Sequence, residues 1–294
     1  MIIAIFHCYP GGLFGTSRWS HGSSIWAECL DLVNEDDISI QYIDAVNSID
    51  LPDPTPFHGI IITGSPSGVY ERNSLPWISR LENYLKDILI DRKDLQTKVL
   101  GGCFGAQILS SSLGGLVEQQ GFFVLATESL YPTPALASLS YSKGIIEEHN
   151  GKVIVLFDAD KKLENGYARP IANKQIENSE ENSGEILGLL ESHGDCVRIL
   201  PSDAILLASS TSCVNEMFIC ANGRAIGIQG HPEFSLNKEI EQIIWPRQVD
   251  EGVKLTLEQA AESKLSFTNN KRHHGAILTL LRRFLLSEIV TTAV

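Results

Sequence analysis

The chain has 294 residues, 43% of them hydrophobic and 20% charged, enough for one large domain or two small ones around a sizeable core. Its 23 basic against 36 acidic residues leave a formal charge of −13. That is the wrong sign for neutralising phosphate, and it argues against a general nucleic-acid or anionic-membrane binder. In chain order, the apolar run Ile2 to Phe6 predicts a buried strand, followed by a Gly/Ser-rich loop from His7 to Ser23. A short helix is expected over Ile25 to Val33 and a β-branched strand over Ile38 to Ile43. Gly59 to Thr63 reads as a third strand, stopped by Gly64-Ser65-Pro66. Trp77, Leu81, Leu85, Ile88 and Leu89 recur at helical spacing after the helix-starting Pro76. Val99-Leu100 leads into Gly101-Gly102-Cys103 and a helix over Phe104 to Leu113. Further strands are expected at Phe122 to Glu128, Lys152 to Phe157, Ile186 to Leu190, Ala204 to Ala208, Val214 to Cys220 and Ala225 to Ile228. Asn222-Gly223 forms a hairpin turn between the last two. The polar stretch Lys161 to Glu185 reads as a solvated loop or insertion. Helices close the chain at Leu236 to Trp245, Leu255 to Ser263 and Ala276 to Leu286. This alternation is the grammar of an α/β protein with an open, mostly parallel sheet flanked by helices.

The six cysteines are scattered and form no CxxC pair, so neither a small disulfide scaffold nor a zinc site is expected, and no metal or other cofactor is called for. No apolar run approaches the ~18 residues of a membrane span. Met1 to Phe6 lacks the cationic start of a signal peptide. The expectation is a reduced, cytoplasmic protein. Cys196, Cys213 and Cys220 read as core residues, and His273-His274 as the start of a solvated helix.

Gly101-Gly102-Cys103-Phe104-Gly105 has the form G-x-C-x-G between a strand and a helix, the cysteine version of a nucleophile elbow. A nucleophile on so sharp a turn needs neighbours with almost no side chain. The helix N-terminus behind it favours a thiolate, and the Phe104 N–H points where an oxyanion would form. The same five residues also suit a buried structural cysteine in a glycine-rich turn. In Gly230-His231-Pro232-Glu233, His231 and Glu233 are two apart, so in an extended segment a carboxylate can orient an imidazole whose other face meets a nucleophile. Alone, the segment equally reads as the first turn of a helix with an incidental histidine. Gly64 could present N–H groups to an oxyanion or simply turn the chain. Glu191-Ser192-His193-Gly194-Asp195, placed after a strand, could bind a polar ligand or cap a turn.

Taken together and in order, Thr63-Gly64-Ser65-Pro66-Ser67-Gly68-Val69-Tyr70, Gly102-Cys103-Phe104-Gly105-Ala106-Gln107, Ser192-His193-Gly194-Asp195 and Gln229-Gly230-His231-Pro232-Glu233 resemble class I glutamine amidotransferases. The likeness is to the stand-alone branch similar to the amidotransferase domain of GMP synthase and to γ-glutamyl peptidases. It implies a flavodoxin-like three-layer domain over residues 1–245, with an insertion at about 130–185 and a helical extension, 246–294, packed on it. It also implies Cys103 as nucleophile, His231 as general base and acid, and Glu233 as the residue that orients the imidazole. Gly64, Ser65 and Phe104 would form the oxyanion hole, and Gln107, Ser192 and His193 would hold a glutamyl group. Two positions depart from the pattern. Gly230 stands where the family often carries a bulky aromatic residue, and Gly102 where an apolar side chain is common.

The reaction so implied is hydrolysis of a γ-glutamyl amide, glutamine or a γ-glutamyl peptide, through a γ-glutamyl thioester. A non-catalytic binding or regulatory protein on the same scaffold, and an ammonia-donating subunit, remain as alternatives. The chain after Glu233 holds about three helices and no G-x-x-x-x-G-K-[ST] loop, so a partner synthetase is expected to be a separate chain.

Overall fold

The computed structural model describes residues 1–10, 22–92, 94–149, 152–155, 187–251, 254–270 and 272–287. The polar stretch 161–185 and most of the Gly/Ser-rich loop lie outside the described residues. The elements are β1 (Ile2–His7), α1 (Gly22–Cys29), β2 (Ser39–Asp44), β3 (Gly59–Ile62), α2 (Pro76–Lys86), β4 (Lys98–Gly102), α3 (Phe104–Ser112) and β5 (Leu116–Pro132). They continue with α4 (Pro134–Ser138), β6 (Ile146–His149), β7 (Lys152–Val155), β8 (Leu187–Ile199), β9 (Ile205–Ser209), β10 (Met217–Cys220), β11 (Ala225–Ile228), α5 (Leu257–Asn269) and α6 (His274–Leu286). Two wide helical segments, Leu236–Ile244 and Pro246–Asp250, connect β11 to α5.

Nine strands form one sheet in the order β2-β1-β3-β4-β11-β10-β9-β5-β8. The first five run parallel and the remaining four continue antiparallel. Strands β3, β4 and β11 are buried on both faces, as their continuous apolar runs require for interior parallel strands. Alternation along the strands divides two cores. Ile3, Ile5, Ile61 and Leu100 face α1 and α6 through Trp26, Ile277, Leu280 and Phe284. Ala4, Phe6, Ile60, Ile62 and Val99 face α2 and α3 through Ile78, Leu81, Ile108 and Leu109. A third cluster joins Leu125 and Leu190 of the β5–β8 ribbon to Phe234, Ile240, Ile244 and Leu255. Among the described residues no helix is long and apolar enough to cross a membrane.

Three expectations are corrected. The helix expected over Ile25 to Val33 ends at Cys29, because Asp31 adopts φ 50° and breaks the helical run. The strands expected at Phe122 to Glu128 and Ile186 to Leu190 are fragments of the much longer β5 and β8, so Ser192 to Asp195 lies inside a strand rather than after one. His273-His274 is not a solvated helix start. Strand β8 is an edge, and the two histidines cover it: the Gly188 N–H donates to His273 Nδ1 at 3.0 Å, the Leu190 N–H donates to His274 Nε2 at 3.3 Å, and the His273 N–H donates to Gly188 O at 2.9 Å. Covering a strand edge in this way blocks pairing with another chain. At the other end of α6, the buried Lys98 of β4 donates to Phe284 O at 2.9 Å and to Ser287. A cation there meets the negative end of the helix dipole.

Candidate active site

Parallel neighbours deliver the candidate residues to one sheet edge. Ile62 is in register with Gly101, and Gly102 with Ile228. The chain therefore leaves β3 at Thr63-Gly64, β4 at Cys103 and β11 at Gln229-Gly230-His231 side by side, at the carboxyl end of the sheet where open α/β proteins bind ligands. The Cys103 N–H donates to Ile228 O at 2.8 Å, tying two of these exits together.

Cys103 has φ 53° and ψ −111° immediately before the first turn of α3, a conformation that L side chains rarely adopt and that stores strain. The glycines around it are sterically required. A Cβ on Gly101 would lie 2.3 Å from Gly105 O, and one on Gly105 would lie 2.2 Å from Ile62 O. One on Gly102 would meet the Trp26 ring at 2.5 Å, so at this departure from the family pattern the apolar bulk is supplied by α1. Gly64 completes the wall: its hypothetical Cβ lies 3.5 Å from His231 Cε1 and 3.6 Å from Cys103 Cβ.

His231 is buried and hydrogen-bonds through Nδ1 to Glu233 Oε1 at 2.8 Å. Its ring stacks on Phe234 with centroids 4.0 Å apart. Burial by itself disfavours the imidazolium, but the charges of Glu233 and Cys103 outweigh it and hold His231 well above the ordinary histidine range.

The opposite wall is β8. Its pairing with β5 slips between Gln119 and Val124, and the bulge turns Phe122 and Phe123 toward the same cavity as Ser192 and His193. His193 Nδ1 lies 3.1 Å from Asp195 O. Gln107 spends its amide N–H groups on Asp195 O at 3.1 Å and Gln229 Oε1 at 3.0 Å, so it braces β8 against the exit of β11. The cavity is about 540 Å³, within the ordinary range for a small-molecule site. Gly64, Ser65, Cys103, Gln107, Ser192 and His193 all line it. Tyr9, Tyr70, Asp195, Arg247 and Lys254 do as well, and of these sequence reasoning had not singled out Arg247 and Lys254 for the site. Tyr70 donates to Asp195 Oδ2 at 3.1 Å, and Arg247 donates to the Tyr9 hydroxyl at 2.9 Å. Burial raises the Asp195 carboxyl above its usual range.

Two buried carboxyls lie behind the site, Glu191 of the predicted polar cluster and Glu216, which sequence reasoning missed. Gly230 has room for them: a Cβ there would sit 2.5 Å from Glu191 Oε1. The space left by the second departure from the family pattern is filled by Glu191, and the Gly230 N–H donates to Glu216 Oε1 at 2.7 Å. That departure was the one signal in the sequence that pointed there.

A profile of the glutamine amidotransferase class-I family matches residues 37–246. The chain belongs to the class I glutamine amidotransferase family. A γ-glutamyl peptidase 5 from Arabidopsis thaliana is 31% identical over 231 residues, covering 78% of this chain and 73% of that protein. A GMP synthase (glutamine-hydrolysing) from Prochlorococcus marinus is 27% identical over 177 residues, 60% of this chain. The match spans only 24% of that synthase's length. The crystal structure of a glutamine amidotransferase from Thermotoga maritima shares the fold at a TM-score of 0.59 and 18% identity, over 98% of this chain and 99% of that one.

Proposed function

We propose that this family member hydrolyses γ-glutamyl amides with Cys103, His231 and Glu233 as its catalytic triad. The observation that carries the reading is the strained Cys103 at the β4–α3 elbow, set against the same Gly64 wall as an imidazole that Glu233 holds at 2.8 Å. The Cys103 thiolate attacks the γ-carbonyl carbon. The resulting oxyanion is held by the Phe104 N–H at the start of α3 and by N–H groups of the Gly64-Ser65 loop, each donor worth about 3 kcal/mol in comparable sites. His231 passes a proton to the leaving amine, leaving a γ-glutamyl thioester. Water activated by His231 then releases glutamate and restores the thiol. Ser192 and His193, with Gln107 behind them, hold the α-amino and carboxylate ends of the glutamyl group.

The reach of the cavity to Arg247 and Lys254 favours a leaving amine that itself carries a carboxylate, such as an amino acid or short peptide, over ammonia. If ammonia is the product instead, its acceptor would be a synthetase on a separate chain, in line with the partial match to GMP synthase. The test is glutamate release from glutamine and from γ-glutamyl peptides by wild type and by Cys103→Ala. Hydrolysis abolished by the substitution is expected. Full hydrolysis in Cys103→Ala would overturn the assignment, and a preference for glutamine would overturn the peptide reading.

A further inference from the structure

We propose that Glu191 is a positioning residue that works in its protonated form, bracing both the substrate wall on β8 and the turn that carries His231. Three segments meet at its carboxyl: β8 itself, the loop before β10 and the exit of β11. Glu191 Oε2 lies 3.3 Å from His193 Nε2. The Glu216 carboxyl lies against it from the loop before β10, accepting the Gly230 N–H at 2.7 Å and the Ser210 hydroxyl at 3.3 Å. Gly230 packs on Glu191 Oε1 with no room for a side chain. The His231 N–H donates to Leu190 O at 2.7 Å, so the neighbour of Glu191 in β8 holds the backbone of His231.

The proton follows from donor and acceptor chemistry. Asp195 O can only accept, so His193 Nδ1 must donate to it, and in the neutral imidazole Nε2 is then a bare acceptor. An ionised Glu191 would present a second acceptor to it. Both Glu191 oxygens and His193 Nε2 are buried with no hydrogen-bond partner among the described residues when counted that way, a costly arrangement. One proton on Glu191 turns the contact with His193 or Glu216 into a hydrogen bond. Two carboxyls in one site do not both ionise readily. The other titratable groups around the pair are Glu128 of β5, whose carboxylate accepts from Ser212, together with His231 and Glu233 from the β11 exit and Cys196 and Cys213 beside His193 and Glu216. His274 of α6 caps Leu190 next door. Burial, then the Glu128 charge, pushes Glu191 well above the carboxylate range, and burial pushes His193 down. Burial, then the Glu191 charge, raises Glu216 as well, so the pair holds a proton, and the geometry assigns it to Glu191: both Glu216 oxygens already accept, from the Gly230 N–H and the Ser210 hydroxyl. A neutral Glu191 adds no second negative charge to that of Glu233 beside His231, so the imidazole can still surrender its proton during turnover.

The tests are Glu191→Gln, which keeps a donor without a charge, and Glu191→Ala, which removes it. Only the rate readout rests on the hydrolase reading. In wild type above neutral pH, the infrared carbonyl band of a protonated carboxylic acid is expected, and Glu191→Gln should lose it. The folding equilibrium constant of wild type relative to Glu191→Gln should fall about tenfold per pH unit above the ordinary glutamate range, because the folded chain keeps a proton that the unfolded chain releases. In turnover, Glu191→Ala should lose about 10²-fold, the usual consequence of a displaced reacting group. Glu191→Gln should recover most of that loss and stay active to higher pH than wild type. Absence of the band, or a Glu191→Gln pH profile parallel to wild type, would overturn the proposal. A wild type inactive on every γ-glutamyl compound would sink the hydrolase reading, while the band and the folding slope would still decide where the proton sits.

Discussion

Gly105→Ala is the sharpest probe of the elbow. The added Cβ would lie 2.2 Å from Ile62 O and 2.9 Å from Ile62 C, and both are backbone atoms of an interior strand. Reaching an ordinary contact of 3.4 Å requires α3 and β3 to part by about 1.2 Å. Neither can swing aside as a side chain would, since α3 is packed in the core by Ile108 and Leu109 and β3 is hydrogen-bonded on both sides. Overpacking of this kind costs about 1–3 kcal/mol, and the rigidity of both partners puts this site at about 3 kcal/mol. The same displacement moves Cys103 relative to Gly64 and His231, and a shift of about 1 Å costs about 10²-fold in rate. Urea unfolding and glutamate release would measure the two effects. Gly194→Ala is the control: its Cβ meets the Phe123 ring at 3.5 Å and Phe122 O at 3.8 Å, both ordinary contacts, and it should change stability by less than about 0.5 kcal/mol. A Gly105→Ala protein with wild-type stability and turnover would refute the steric account of the elbow.

Three further outcomes follow from the geometry. Iodoacetamide near neutral pH should label Cys103 well ahead of Cys8, Cys29, Cys213 and Cys220, because the raised His231 supplies an imidazolium beside it while burial, and for Cys213 the neighbouring Cys196 thiol first, pushes those four thiols up; Glu233→Gln should slow that labelling, and mass spectrometry of the labelled peptides reads both. Burial, then the nearby Arg272 charge, pushes His274 down to about 3, below its unfolded value. The folded chain therefore binds fewer protons than the unfolded one between about pH 6.5 and that value, and stability should fall by up to about 1.4 kcal/mol per pH unit as pH drops through this window. His274→Asn should flatten the slope in urea unfolding measured at successive pH values. Arg247→Ala and Lys254→Ala should raise KM for γ-glutamyl peptides about tenfold, as expected for a lost charge-assisted contact of ~1.4 kcal/mol, with little change for glutamine; equal effects on both substrates would remove these cations from leaving-group recognition.

What could be read in advance was whatever is local. The elbow is spelled by consecutive residues, since Gly101, Gly102 and Gly105 are each forced by a neighbour within a few ångströms of Cys103. Strands β1, β3, β4 and β11 announce themselves as short apolar runs because both of their faces are buried. Strand β8 does not. Ser192, Gly194 and Asp195 have low strand propensity, and only pairing with β5 from far earlier in the chain keeps that segment extended. His273 and His274 look solvated in a run with Lys271 and Arg272 until the edge they cover is known. Glu191 and Glu216, 25 positions apart in the sequence, look like ordinary charged residues until the fold closes both over Gly230. What sequence reasoning missed depends in each case on a partner distant along the chain.

Helix α6 lies entirely beyond residue 246, where the family match stops. Yet it grips the root of the nucleophile strand through Lys98 at one end and the substrate wall through His273 and His274 at the other. The stretch that the family profile matches is therefore smaller than the unit that folds. Ending the chain at the last matched residue would strip the cover from an edge strand, leave a buried ammonium without its acceptors, and open the apolar face now sealed by Ile277, Leu280 and Phe284. For anyone trimming, fusing or transplanting this domain, the boundary is set by those contacts and falls after Ser287, some forty residues past the point where sequence similarity fades.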